Sequence, residues 1–388
     1  MISPAPSGGA IDLSRVGREI WDLLVIGSGP AGSIAARQAA LRGARVLLVD
    51  RSVFPREKVC GCCIGHAGMR ALRSIGLGHV ADHLGAPHVE QLQLHVARTV
   101  SRIALPAGRA LSRSALDSAL LAEAVRAGAV FHSGVVATVG RVDGDVRGFE
   151  LKNDAESVQA TARVVIAADG LASPSTRDCE EIRVAVAAGA RVGVGARFVA
   201  EGVIAANTIE MHVGREGYLG LVRLEDGSID AAAALDPIAI QSAGVRGCLT
   251  AILQGSAGER LTARVAAAEW RGTPPLTRRR TPVAAERLLL IGDAAGYVEP
   301  FTGEGMTWAM ETAIAAAPIA LEAAKSWSSA TARRWIAEHR RLLAGRQWSC
   351  GVIAHLLRMP RAMMLANRLL SVAPALARPV VRHVAGPA

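Results

Sequence analysis

Few side chains in this sequence are placed to do chemistry. Cys60, Cys62 and Cys63 fall together in VCGCCI, and Cys60 and Cys63 have CxxC spacing. Such a pair can cycle between dithiol and disulfide, or supply half of a zinc site. No second CxxC follows, so no metal is assigned, and for Cys62 and Cys63 packing is favoured over a redox disulfide. The ten histidines are scattered. His79, His83 and His88 lie close together, but in a Gly- and Pro-containing segment their spacing is not that of a helical ligand pair. Most of the histidines read as surface or pocket-wall residues. With no Ser-His-Asp set or paired carboxylates to point to, the catalytic residues stay unassigned. Two aspartates are more informative. Asp50 ends ARVLLVD and Asp293 follows LLLIG, and a carboxylate at the end of an apolar strand can bind a sugar hydroxyl.

The elements that must position these aspartates are legible around them. Trp21 to Asp50 (WDLLVIGSGPAGSIAARQAALRGARVLLVD) reads as strand, glycine turn, helix and strand. Gly27 permits the turn, Gly29 lets backbone approach a pyrophosphate, and Gly32 lets the helix pack on the strand. The helix starts at Pro30 and Ala31, where free N–H groups and the helix dipole favour phosphate. Asp50 then suits an unphosphorylated ribose, which leaves NAD and FAD open. Ala162–Gly170 (ARVVIAADG) is a second buried-strand pattern, ending in Asp169–Gly170. In LLLIGDAAGYVEPFTGEGM the chain passes Asp293, turns through Pro300, Gly303 and Gly305, and enters a helix at Met306. Asp293 can hold a ribityl hydroxyl, and the helix start can stabilise negative charge on a reduced flavin. Together the two stretches favour FAD.

Composition narrows the class. A chain of 388 residues suits two or three domains. The net charge of +10 comes almost entirely from Arg, with Lys only at Lys58, Lys152 and Lys325, and just two Tyr and five Phe are available to stack on bases. No nucleic acid is expected. No run reaches a membrane span, and the first twenty residues lack a signal-peptide pattern, so the expectation is cytoplasmic, with peripheral membrane contact as a variant. The six cysteines do not form a disulfide framework, and residues 1–17 read as frayed. RSALDSALLAEAVRA (113–127) is a helix, and a second helix is expected over 67–75. Residues 129–138, with strands near Glu150 and Thr161, read as an antiparallel attachment, and 184–281 as a mostly antiparallel sheet.

The motifs GSGPAG with Asp50, RSVFPREKVCG, Arg113 with Asp117, AADGLASPSTR and GDAAGYVEPFTGEGM occur here in order. In this they resemble the FAD-dependent oxidoreductases of the p-hydroxybenzoate-hydroxylase fold, nearest the geranylgeranyl-reductase-like branch. The resemblance implies an α/β fold: a Rossmann-like FAD-binding domain of glutathione-reductase type, an inserted mostly antiparallel substrate sheet, and C-terminal helices. The expected division is 18–80, 108–180 and 282–322 for FAD, 81–107 and 181–281 for substrate, and 323–388 for the helices. It also implies that Gly27, Gly29, Pro30, Ala31 and Gly32 hold the pyrophosphate, and that Asp50 with Arg51 holds the adenosine ribose. Gly61 and Cys62 pass the flavin with Cys60 lining the pocket, Arg113 reaches FAD, and Val136 lies near the adenine. Asp169 and Gly170 meet the cofactor, Asp293 the ribityl chain, and Pro300, Gly303, Gly305 and Met306 the flavin. The family's DGxxSxxR pattern departs here by one extra residue before Arg177, which puts the role of that arginine in doubt.

The implied activity is oxidation or reduction of a hydrophobic small molecule, such as a polyketide, quinone precursor or isoprenoid. It is either hydroxylation as a monooxygenase or reduction of a C=C bond, with NAD(P)H or another donor binding transiently to reduce the flavin. The Lys58–Cys60–Gly61 loop tilts toward the reductases. A non-catalytic electron carrier or sensor is the alternative, and halogenation ranks last because the aromatic WxWxIP motif is absent. Beyond Trp335 the tail mixes apolar residues with Arg. It reads either as helices packed on the body or as a basic amphipathic surface for a membrane or carrier-bound lipid.

Overall fold

Runs such as Leu23–Ile26, Val46–Val49 and Val164–Ala167 are apolar at every position, and such strands must be covered on both faces. In this computed structural model, which describes residues 13–200, 202–254, 256–299 and 301–385, they lie side by side. Leu288–Leu290, Ser157–Ala167, Ile20–Ile26, Val46–Asp50 and Val130–Ser133 form consecutive parallel strands. Val130–Ser133 therefore belongs to the parallel sheet and not to an antiparallel attachment. The antiparallel part is the hairpin Val136–Asp143/Val146–Lys152, which pairs onto Ser157–Ala167. Helices Pro30–Ala40 and Gly305–Lys325 pack on this sheet and on each other, and Arg113–Arg126 packs on Pro30–Ala40. Their contact faces are rich in alanine, with Ala31, Ala35, Ala36, Ala309, Ala313 and Ala316 all buried, so the helices approach closely.

The expected mostly antiparallel sheet is present. Its eight strands run Arg271–Pro275, Val192–Phe198, Ile229–Leu235, Gly217–Arg223, Thr208–Val213, His88–Val96, Thr99–Ala110 and Cys63–Ile64. Only the Thr208–Val213/His88–Val96 junction is parallel. On its reverse face, Leu219, Leu221 and Ala231 pack against Leu249, Ile252 and Leu253 of helix Pro237–Leu253. Arg183–Val186, Arg278–Thr281 and Gly296–Tyr297 form a small third sheet. The C-terminal helices are Ser329–Leu356, Pro360–Val372 and Arg378–Ala385.

Of the segment expected to fray, residues 1–12 lie outside the described residues. Leu13–Val16 is a helical turn that buries Leu13 and Val16 in the core. Among the described residues, no helix is long and apolar enough to cross a membrane.

Candidate cofactor and substrate cavity

One cavity of about 670 Å3 lies between the two large sheets. Gly27, Gly29, Pro30, Ala31, Asp50, Arg51, Gly61, Cys62, Arg113, Val136, Asp169, Gly170, Asp293, Gly303, Gly305 and Met306 all line it. Of the other residues expected at the cofactor, Gly32 lies behind the wall and Pro300 lies outside the described residues.

The glycines do what their positions require. Gly27 has φ +95°, and a Cβ there would stand 2.6 Å from the carbonyl oxygen of Ala168. A Cβ on Gly32 would stand 1.7 Å from the oxygen of Gly27, so helix and turn can touch only with glycine there. Gly29, at the N-cap of helix Pro30–Ala40, offers no side-chain cap, which leaves the first amides of the helix for an anion. Above it stand two guanidinium groups: Arg56 Nη2 and Arg113 Nη2 lie 3.4 and 3.5 Å from where a Gly29 Cβ would be. Both are anchored by the fully buried Asp117, which takes 2.9 and 2.7 Å bonds from Arg113 and lies 3.1 Å from Arg56. Arg56 also lies 3.9 Å from Asp50, so the two guanidinium groups are held between two carboxylates beside the glycine turn. Asp50 accepts from the backbone N–H (2.8 Å) and hydroxyl (3.0 Å) of Ser28, and from the backbone N–H of Ser52 (2.9 Å). Its carboxylate is thus fixed in direction at the cavity wall.

Lys58 links two of the motifs. Its Nζ lies 3.6 Å from Asp293 Oδ2 and 3.0 Å from where a Gly170 Cβ would be. Burial in the wall lowers its pKa, against the pull of Asp293. Asp169 Oδ2 accepts from the backbone N–H of Ser175 at 2.9 Å, while its buried Oδ1 has no partner in the chain. An orphaned carboxylate oxygen beside a cavity fits a hydroxyl-bearing ligand such as FAD. Arg177, the arginine of the departing motif, is exposed. The Asp-Gly turn is clamped instead by Arg278, which donates to the Leu171 carbonyl (3.1 Å), and by Arg280, which donates to Ala172 (2.8 Å) and Thr176 (3.0 Å).

The described cysteines are all free thiols, and it is Cys62, not Cys63, that pairs with Cys60. A hydrogen bond from Cys62, aided by Arg113 and opposed by burial, lowers the Cys60 pKa to about 6. The same bond and burial push Cys62 up, and burial pushes Cys63 up. Cys62 adopts φ +51°, in the left-handed region, which a side chain other than Gly or Asn enters at a cost. Cys62 is buried in an apolar cluster with Val89, Ala110, Val222 and Leu224, and Cys63 packs against that cluster, as the packing reading expects.

Sequence reasoning missed both tyrosines. Tyr218 and Tyr297, the only two in the chain, line the cavity. Tyr218 packs edge-on to Phe301 at 5.2 Å and lies under Arg191, whose guanidinium pairs with the buried Glu299 at 2.8 Å. Burial, with Glu299 near Tyr218 and Asp293 near Tyr297, holds both phenols well above their usual pKa. They stay protonated and can donate. The available signal was scarcity: in a sequence this poor in tyrosine, one of the two sits four residues beyond Asp293.

The rest of the lining is apolar: Leu92, Leu94, Met211, Leu276, Ile353, Leu357, Met363 and Leu370. The last four of these eight include none from the cofactor motifs, and Ile353, Leu357, Met363 and Leu370 come from the C-terminal region. Helix Pro360–Val372 is stapled to the floor sheet, with Asn367 Nδ2 donating to the Thr99 carbonyl (2.9 Å) and Ser101 donating to the Asn367 carbonyl (2.7 Å). The tail thus packs on the body with one face and is exposed on the other, where Leu365, Leu369, Val372 and Leu376 stand open. Most of the histidines are exposed or line the cavity, as expected, with His79, His83, His88, His355 and His383 exposed and His66 on the wall. His79 and His83 share one helical turn with rings 4.9 Å apart, and His95, His132, His212 and His339 are buried.

The family model for an FAD binding domain matches residues 21–209. The digeranylgeranylglycerophospholipid reductase 1 of Methanothermobacter thermautotrophicus is 32% identical over 351 residues, covering 83% of this chain and 81% of that one. A menaquinone reductase of Mycobacterium tuberculosis is 27% identical over 360 residues, covering 81% and 80%. The fold is also that of the flavin-dependent brominase Bmp2, with a TM-score of 0.78 at 19% identity over 95% of this chain and 94% of that one. FAD is the cofactor these likenesses share with the glycine turn, the paired arginines and the orphaned carboxylate oxygen described above. The chain belongs to the geranylgeranyl-reductase-like family of FAD-dependent oxidoreductases.

Proposed function

We propose that this protein is an enzyme that reduces C=C bonds in the isoprenoid chain of a lipid or quinone. The observation that carries this reading is the apolar end of the cavity, where aliphatic side chains from the floor sheet and the C-terminal helices form a chamber suited to a hydrocarbon chain. The likeness to reductases of prenylated lipids and quinones over most of the chain supports it.

In this reading segments 18–80, 108–180 and 282–322 hold FAD, and 81–107 and 181–281 hold substrate. Gly27, Gly29 and Gly32, with Arg56 and Arg113, bind the pyrophosphate. Asp50 orients the adenosine ribose and Asp293 the ribityl chain. The start of helix Gly305–Lys325, at Gly305 and Met306 on the cavity wall, would hold the flavin end of the cofactor and favour negative charge there. FAD, when bound and reduced by NAD(P)H or another donor, supplies hydride chemistry. Tyr297, protonated at the cavity wall, would supply the proton that balances the hydride chemistry of the cofactor. The aliphatic lining disfavours water around the hydrocarbon chain.

The test is anaerobic incubation of the chemically reduced holoenzyme with a geranylgeranylated glycerolipid or a menaquinone in detergent, followed by mass spectrometry. Two hydrogens gained per double bond are expected, with Tyr297→Phe slower by roughly 100-fold, the lower range for loss of a general acid, and flavin content unchanged. Products that form only in air and gain oxygen, or that gain bromine when bromide is added, would replace this reading with hydroxylation or halogenation. No turnover of any alkene, with electrons passed only to dyes, would replace it with electron carriage.

A further inference from the structure

Behind the chamber floor lie three buried side chains that the proposed reaction does not use. Strands His88–Val96 and Thr208–Val213 run parallel with His95 opposite His212. Glu210 is two residues before His212, so all three side chains share one face of the sheet. Their neighbours Leu94 and Met211 point the other way and line the cavity. The three residues are 3%, 5% and 0% exposed for His95, Glu210 and His212.

The geometry is that of a donor set. One nitrogen from each histidine and one Glu210 oxygen lie within 4.8 Å of one another. The imidazole rings stack with centroids 4.3 Å apart. Neither nitrogen of His95 has a hydrogen-bond partner, nor does Nε2 of His212, which stands 3.4 Å from Glu210 Oε2. Buried polar atoms are rarely left idle, and each such atom asks for an explanation. The other ring nitrogen of His212 lies 3.5 Å from the Ser256 hydroxyl, a contact that can fix the ring's orientation. A cation already occupies the edge of the cluster: Arg260 Nη2 lies 2.8 and 2.9 Å from the two Glu210 oxygens. The Arg260 side chain is 40% exposed and also donates to the Val203 carbonyl at 3.2 Å, so an ion on Glu210 must displace it.

We propose that His95, His212 and Glu210 bind a single divalent transition-metal ion such as zinc, which takes the place of the Arg260 guanidinium on Glu210. Two imidazoles and a carboxylate are a recognised zinc donor set, with a fourth position left for water. The ion would clamp the one parallel junction of the floor sheet and fix the positions of Leu94 and Met211 on the cavity side. This site is independent of the reaction proposed above.

The experiment uses the full-length holoprotein, stripped of metal by a chelator and titrated with Co2+ and then Zn2+. One equivalent of Co2+ should bind, with visible ligand-field absorption that Zn2+ abolishes. His95→Ala and Glu210→Gln should each lose this signal while the bound-flavin spectrum stays unchanged, and Arg260→Ala should tighten binding. His79→Ala, which removes the exposed histidine pair, should leave the signal intact. Wild-type protein that takes up no metal would overturn the proposal. So would uptake that persists in Glu210→Gln or disappears in His79→Ala.

Discussion

At Cys60, the Cys62 thiol and the Arg113 guanidinium outweigh burial and favour the thiolate. Because the charged form is the stabilised one, reactivity must rise as pH increases through about 6, well below the ordinary thiol value of about 8.5. Alkylation of the flavin-free protein by iodoacetamide, followed by peptide mapping, should show one fast site with that midpoint. Cys60→Ser should remove it, and Arg113→Gln should move the midpoint upward. A midpoint near the ordinary value would refute the assignment. At this scale the sequence was informative where a residue type was needed for purely local reasons. Asp50, Asp293 and Gly27 sit at strand ends, and their position alone gave their direction. It was silent where contacts come from afar. The one-residue departure in spacing already put Arg177 in doubt, and that residue is exposed, but nothing local showed that the clamp on the Asp-Gly turn is Arg278 with Arg280, which arrive on a strand about a hundred residues later.

Among the elements, the strand–turn–helix at Gly27–Gly32 has the least freedom. Gly32→Ala would place a methyl against the Gly27 carbonyl, an overpacking that costs roughly 1–3 kcal/mol. A lowered melting temperature and loss of bound FAD are expected, read by thermal unfolding and flavin fluorescence. Gly61→Ala, where a Cβ would meet nothing within 4 Å, serves as the control and should leave the melting temperature nearly unchanged. The buried strands were readable because a run that is apolar on both faces has few other fates. Pairing partners were harder to read. Val130–Ser133 looked like part of a hairpin because the next strands are one, and only the position of Val46–Asp50 reveals its parallel partner. The stacked His95 and His212 were invisible for the same reason, since no local period announces that two strands so far apart in sequence will align.

On the scale of the whole molecule, the C-terminal helices join the chamber to the outside. Leu376 and Val380 line the cavity and are also 60% and 51% exposed, so the chamber opens onto the tail's outer face. Leu365, Leu369 and Val372 extend that apolar face, with Arg361, Arg368, Arg378 and Arg382 exposed among them. A surface of this kind suits an anionic bilayer. Flotation with vesicles containing anionic lipid should carry the protein upward at low salt, and Leu369→Glu with Val372→Glu should abolish this while leaving FAD bound. Wild-type protein that stays at the bottom of the gradient would sink the idea. The sequence offered packing and membrane contact as rivals, and the structure gives the helices two faces, because only the partner surface decides which apolar residues are covered. The parallel junction between His88–Val96 and Thr208–Val213 also bears on how the chain is made. A ribosome delivers one strand long before the other, and Leu288–Leu290 later still joins the nucleotide sheet beside Ser157–Ala167. Both sheets must therefore wait, incomplete and with open edges, until synthesis is well advanced. Flavin capture thus becomes a timestamp of finished folding, and nascent chains ending before Asp293 should carry none.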